Sequence, residues 1–133
     1  MFVLLDTHVL LWLDQDVPDL GSIARRQADH ALRHGHLAVS AISFWEVAML
    51  MAKGRITMTL PPAVWRRDLL RLGLIEVPLD GEVGIAAAQL DPHCDPADRI
   101  IAATAIGIGA TLLTANQALL DWQHPLPRSD ARR

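Results

Sequence analysis

Apolar and polar positions alternate along the chain in blocks rather than evenly, and the blocks predict an order of elements. Residues 2–5 are an unbroken apolar run ending at Asp6. A run without polar alternation predicts a strand buried on both faces, as in the middle of a parallel sheet. Residues 9–13, with Trp12, predict a short helical turn before an acidic loop over 14–20. Ser22 is placed to cap a helix reaching about His34, with Gly35 as its stop. Residues 37–39 read as a second strand. Ser40 or Ser43 opens a helix over about 44–53, ended by Gly54. Residues 62–72 mix apolar and basic positions as an amphipathic helix does, and residues 74–78 are a third strand. An alanine-rich helix over 81–90 leads to a turn over 91–94. Asp95 and Pro96 then form an N-cap and N1 pair for a helix lasting to about Ile106. Residues 110–113 give a fourth strand, 116–120 a short helix and 125–127 an edge strand, while the polar tail from about Arg128 is expected to fray.

Strands alternating with helices imply an α/β fold: a mostly parallel central sheet of four or five strands with helices on both faces. At 133 residues this is one domain, residues 1–133. Half the residues are hydrophobic (51%) and 20% charged, which excludes a disordered chain. The formal charge of −3 gives no general attraction to nucleic acid or to anionic membranes, so any nucleic-acid binding must use local patches or bound metal. Cys94 is the only cysteine, so no intrachain disulfide forms and a reducing, cytoplasmic setting is expected. The start lacks a basic region and carries Asp6 within its apolar run, unlike a secretory signal. Residues 100–120 are uncharged and long enough to span a membrane, but Gly107, Gly109, Thr111, Thr114, Asn116 and Gln117 divide them into helix, turn and strand.

Candidate chemistry lies in the acids. Asp6 sits at the carboxyl end of the first strand, the edge where open α/β sheets collect ligands, although an Asp there also serves as a simple cap. Glu46 falls in a helix segment with almost no polar face, where a buried carboxylate needs a partner; a salt bridge to Arg99 is one solution. Asp95 and Asp98 stand at the N-terminus of the late helix, which favours negative charge, and Asp95 alone fills the capping role. In a parallel sheet, strand ends and the starts of the following helices lie on one edge, so three of Asp6, Glu46, Asp98 and Asn116 can converge there, and Asp98 has to reach it from a helix that starts at that edge. Three carboxylates in one cleft raise each other's pKa unless a cation sits among them. Oxygen ligands of this kind suit Mg²⁺ or Mn²⁺, which activate water and neutralise a phosphodiester.

These residues also resemble a family. Leu4-Leu5-Asp6-Thr7-His8, the Ser40-to-Val47 segment, the Asp95-to-Ala105 segment and Thr111-to-Asn116 look like the motifs of PIN-domain ribonucleases, and among them of the VapC-type toxins of toxin–antitoxin pairs. All four occur in order over nearly the whole chain. The resemblance implies a PIN-like three-layer sandwich and Mg²⁺- or Mn²⁺-dependent endoribonuclease activity. It places the catalytic and metal-binding acids at Asp6, Glu46 and Asp98, with Thr7, Asp95, Thr114 and Asn116 in support and Asp95 as cap or outer ligand. Asn116 departs from the pattern, since many relatives carry a fourth Asp there. The resemblance further implies an RNA substrate, a cognate antitoxin and a homodimer, with no membrane association. Lys53, Arg55, Arg66, Arg67 and Arg71 are candidate RNA-gripping groups. Residues 9–13, and Trp45, Met49 and Met51 on a helix apolar nearly all round, are candidate protein-contact surfaces.

Other readings fit less well. A dehalogenase-type phosphatase needs a second Asp two residues after the first, where this chain has His8, and a receiver domain needs an acidic pair and a Lys that are missing here. His93 beside Cys94 as base and thiol is disfavoured because neighbouring side chains rarely face each other. Gly107-Ile108-Gly109 precedes a strand and reads as a helix stop, not as a dinucleotide loop. A non-catalytic RNA- or protein-binding module of the same fold remains the alternative of a different class.

Overall fold

The computed structural model describes residues 1–91 and 94–133, so the expected turn over 91–94 and the His93–Cys94 pair fall outside the described residues in part. Five strands form one sheet: β1 (Val3–Leu5), β2 (Leu37–Ser40), β3 (Ile75–Val77), β4 (Thr111–Thr114) and β5 (Arg128–Asp130). Every pairing is parallel and the order is β3-β2-β1-β4-β5. The apolar opening run therefore lies in the centre, with Val3, Leu4 and Leu5 all buried. Side chains alternate across the pleat. Val3, Leu5, Leu37 and Val39 face one core, and Leu4, Ala38 and Leu112 the other.

Helices cover both faces. The first core is closed by α1 (Thr7–Gln15), α2 (Ser22–Arg33), α3 (Ala41–Ala52) and α4 (Pro62–Arg71). The second is closed by α6 (Pro96–Ile108), against which α5 (Gly81–Gln89) packs, and by the short α7 (Gln117–Leu120). The three-layer α/β architecture expected from the sequence is present. No helix among the described residues is long and apolar enough to cross a membrane, because Gly109, at φ 67°, ends α6 in the left-handed conformation that glycine adopts readily.

Three expectations are corrected. The turn over 9–13 is a nine-residue helix, α1, beginning directly after Asp6. Its Val9, Leu10 and Leu11 are buried and its Trp12 and Leu13 partly so, which leaves this stretch largely absorbed by the chain's own core. Ser22 is the first residue of α2 rather than its cap; Gly21 occupies the cap position, and the Ala24 amide donates to the Arg133 carbonyl oxygen at 3.0 Å. The tail from Arg128 is not frayed. The edge strand lies at Arg128–Asp130, not 125–127, and Ala131 behind it is fully buried. Gly21 is required there, since a Cβ would lie 2.0 Å from the Arg133 carbonyl carbon.

Candidate active site

The chain leaves β1 toward β2 and β3 on one side and returns on the other side through β4 and β5. Such a reversal of strand order opens a crevice at the carboxyl ends of the central strands, here β1 and β4. Asp6 follows β1 and Asn116 follows β4. Asp98 reaches the same edge because α6 starts there and runs back toward the beginning of β4. A cleft of about 430 Å³ opens at this point, lined by Asp6, Glu46, Asp95, Asp98 and Asn116 together with His8, Trp12, Ala115 and Arg132.

Thr7 and Thr114 organise the buried end. Asp6 is 4% exposed, and its Oδ1 accepts from the Thr7 amide at 2.7 Å while its Oδ2 accepts from the Thr114 hydroxyl at 2.7 Å. The Thr114 hydroxyl oxygen in turn accepts from the Asn116 amide at 3.0 Å. The Thr7 hydroxyl lies 2.5 Å from Glu46 Oε1 and 2.8 Å from Ser43 Oγ. An ionised carboxylate only accepts, so Thr7 donates to Glu46 and accepts from Ser43. Glu46 stands in the second turn of α3, not the first, because the helix begins at Ala41 under the Ser40 cap. It is half-buried and makes no ion pair among the described residues. Arg99 does not meet it; the Arg99 Nε is buried without a hydrogen-bond partner among those residues.

Asp98 and Asn116 form the other wall. The Asn116 Nδ2 donates to Asp98 Oδ2 at 3.1 Å, and its Oδ1 accepts from the Ala118 amide at 2.9 Å as the cap of α7. The amide oxygen is thus engaged, and the group that Asn116 turns to the acids is a donor. Asp95 holds the cap position of α6 but makes no side-chain cap bond, leaving its carboxylate to the cleft. Burial, followed by repulsion from Asp6, Glu46 and Asp95, pushes Asp98 up to about 7. Burial is also the main cause that raises Glu46, with Asp6 and Asp95 adding to it and the Thr7 hydroxyl opposing.

The donor chemistry fits a hard divalent cation. Glu46 and Asp98 resist ionising beside the other acids of the cleft, a conflict that a cation relieves. Among the described residues, no three of the acids are drawn tightly enough to form a closed metal shell. Mg²⁺ commonly keeps several waters beside its carboxylates, so an open set of acids suits it. Every acid expected from the sequence lines the cleft, whereas Lys53, Arg55, Arg66, Arg67 and Arg71 do not; Arg66 is tied to Glu76 by two bonds of 2.7 Å. Sequence reasoning missed His8, Trp12 and Arg132. Only His8 carried a usable signal, by its position two residues after Asp6.

A five-stranded parallel sheet with a carboxylate cleft beside its first strand is the architecture of a PIN domain, and the PIN domain family model matches residues 3–122. The chain belongs to this family. Within it, the chain is 36% identical over 127 residues to Ribonuclease VapC22 of Mycobacterium tuberculosis, covering 94% of this chain and 95% of that protein. Its backbone is similar to that of VapBC2 from Rickettsia felis, solved bound to a promoter DNA fragment (TM-score 0.69, 16% identity, 97% of this chain and 98% of that one). It is also similar to a toxin–antitoxin complex from Klebsiella pneumoniae (TM-score 0.64, 20% identity, 97% of each chain). At those identities the two structures speak for the fold alone.

Proposed function

We propose that this chain is the ribonuclease of a toxin–antitoxin pair, an endoribonuclease that hydrolyses RNA phosphodiester bonds with Mg²⁺ or Mn²⁺ held by Asp6, Glu46 and Asp98. The observation that carries the reading is the gathering of these acids, with Asp95, around one cleft at the switch point of a PIN-domain sheet. When bound, the cation supplies an activated water and neutralises charge on the phosphodiester. The chain's own residues prepare the place. Thr7 and Thr114 fix Asp6, Thr7 also aims Glu46, and Asn116 steers Asp98, so the acids are held before metal or substrate arrives. Asp95, free of its cap bond, is positioned as an outer ligand.

The partners follow from the same reading. A cytoplasmic ribonuclease endangers its host, and the similar structure from Klebsiella pneumoniae is a toxin–antitoxin complex, which supports a cognate antitoxin that covers the cleft. Trp45 on α3 is 55% exposed, which supports a surface for self-pairing there. The test is cleavage of single-stranded RNA by the purified chain in Mn²⁺, with and without chelator, beside sedimentation of the chain alone and co-expressed with its neighbouring reading frame. Cleavage lost in chelator supports the reading. Metal binding without cleavage assigns a binding module instead.

A further inference from the structure

We infer that Arg132 is the phosphate-gripping residue of the cleft, a role that rests on the ribonuclease reading above. Arg132 is the one Arg or Lys among the described residues that lines the acidic cleft. Most surface arginines are mobile. This one is held from both sides by its backbone: the Ala131 amide donates to the Thr114 carbonyl at 2.9 Å, the Gly21 amide donates to the Ala131 carbonyl at 2.9 Å, and the Arg133 oxygen takes the Ala24 amide.

The guanidinium is also fixed. Its Nε donates to Asp130 Oδ1 at 3.1 Å, and its Nη2 reaches Gln117 Oε1 at 3.1 Å and Asp130 Oδ2 at 3.4 Å. Gln117 is itself held, donating to Asp121 Oδ1 at 2.8 Å. Nη1 has no acceptor among the described residues, and the side chain is 48% exposed. Its ion pair is with Asp130 on β5, and none of the four cleft acids pairs with it.

The placement answers an electrostatic need. An incoming phosphodiester is repelled by four carboxylates, and a cation bound low in the cleft attracts it at one point only. Arg132 lies on the β4–β5 side, beside Asn116, the corner where the acid set carries no charge. With Nε and Nη2 engaged, Nη1 is the nitrogen left to donate to phosphate oxygens, and a guanidinium already aligned loses little freedom on binding. Arg132 therefore orients the RNA backbone across the acids without reading bases.

The test compares the wild type with Arg132→Ala and Arg132→Lys. Binding of a phosphorothioate-linked single-stranded RNA is followed by fluorescence anisotropy in Ca²⁺ over a salt series, Mn²⁺ affinity by calorimetry, and RNA cleavage in Mn²⁺. Arg132→Ala is expected to weaken RNA binding tenfold or more and to reduce the salt slope by about 0.7, the value for one single-strand phosphate contact. Mn²⁺ affinity and melting temperature stay as in the wild type, and Arg132→Lys restores the slope but only part of the affinity. Unchanged RNA affinity and slope in Arg132→Ala overturn the inference, as does a parallel loss of Mn²⁺ affinity and thermal stability, which assigns Arg132 a structural role. A wild type that binds RNA through Arg132 yet does not cut it leaves this inference standing and removes the ribonuclease reading.

Discussion

Asn116 points its amide nitrogen, not its oxygen, at Asp98, with 3.1 Å between Nδ2 and Oδ2. The bond favours a charged Asp98 that its other neighbours oppose. Replacing the donor with a second carboxylate reverses this local balance.

Asn116→Asp is therefore expected to tighten Mn²⁺ binding by about tenfold, ~1.4 kcal/mol, because an added carboxylate strengthens an oxygen site. Without metal the same variant melts lower than the wild type at pH 8, where it packs one more charge into the cleft. Calorimetric titration and thermal melts with and without Mn²⁺ check both halves. Equal Mn²⁺ affinity in the two proteins places residue 116 outside the coordination shell.

Asp6→Asn and Asp98→Asn should each lower RNA cleavage by at least ~100-fold, on the order of a lost key electrostatic group. Their effects on the fold diverge. Asp98→Asn removes a charge that burial and repulsion disfavour, so the metal-free protein melts higher at pH 8. In Asp6→Asn the Thr7 amide and Thr114 hydroxyl lose a charged acceptor, and no such gain is expected. Single-turnover cleavage and thermal melts together separate the two.

The pH dependence of stability has a definite sign. Asp98 is raised in the folded protein from an ordinary value of 3.8 to about 7, so the folded state holds its proton more tightly than the unfolded chain. The resulting stabilisation is fully present below pH ~4 and is lost as pH rises through about 7. Glu46, raised for similar reasons, acts in the same direction. Between pH 5 and 8 the metal-free melting temperature should fall, and saturating Mg²⁺ or Asp98→Asn should flatten the slope. A slope unaffected by either would remove Asp98 as its source.

Thr114→Val keeps the shape of a fully buried side chain but deletes the hydroxyl that serves both Asp6 and the Asn116 amide. Leaving those two groups unsatisfied costs about 1–3 kcal/mol each. At roughly 3–5 °C per kcal/mol for a domain of this size, a fall in melting temperature near 10 °C is expected, with cleavage reduced as Asp6 loosens. Circular dichroism melts and initial rates report the two effects.

How far the sequence reaches depends on whether an element declares itself through side chains. β1, β2 and β4 are apolar runs with clear stops, and the Asp95-Pro96 pair marks the start of α6, so these elements and the acids attached to them were legible. α1 was harder, because its first residues Thr7 and His8 are polar and Asp6 both ends a strand and opens a helix. β5 was silent. Arg128-Ser129-Asp130 has no apolar residue, and its place in the sheet is set by backbone bonds to β4 at an edge, where side-chain pattern carries little information. Reading the segment from Arg128 as a frayed tail meant missing Arg132. The proposed Glu46–Arg99 pair failed for a different reason: a single hydroxyl from Thr7, close in space but 39 residues away in sequence, meets the carboxylate instead.

The bond between Thr114 and Asp6 spans 108 residues. β1 is the central strand yet comes first in the chain, so its pairing with β4 joins residues from opposite ends of the sequence. Closing so long a loop is entropically costly and slows the search for the native topology. Glu46 meets the Asp6 region through Thr7 across only 39 residues, whereas Asp98 and Thr114 reach it across most of the chain. A chain in which β4 has not yet paired with β1 therefore lacks a complete centre, since Asp6 has neither its Thr114 donor nor Asn116 and Asp98 beside it.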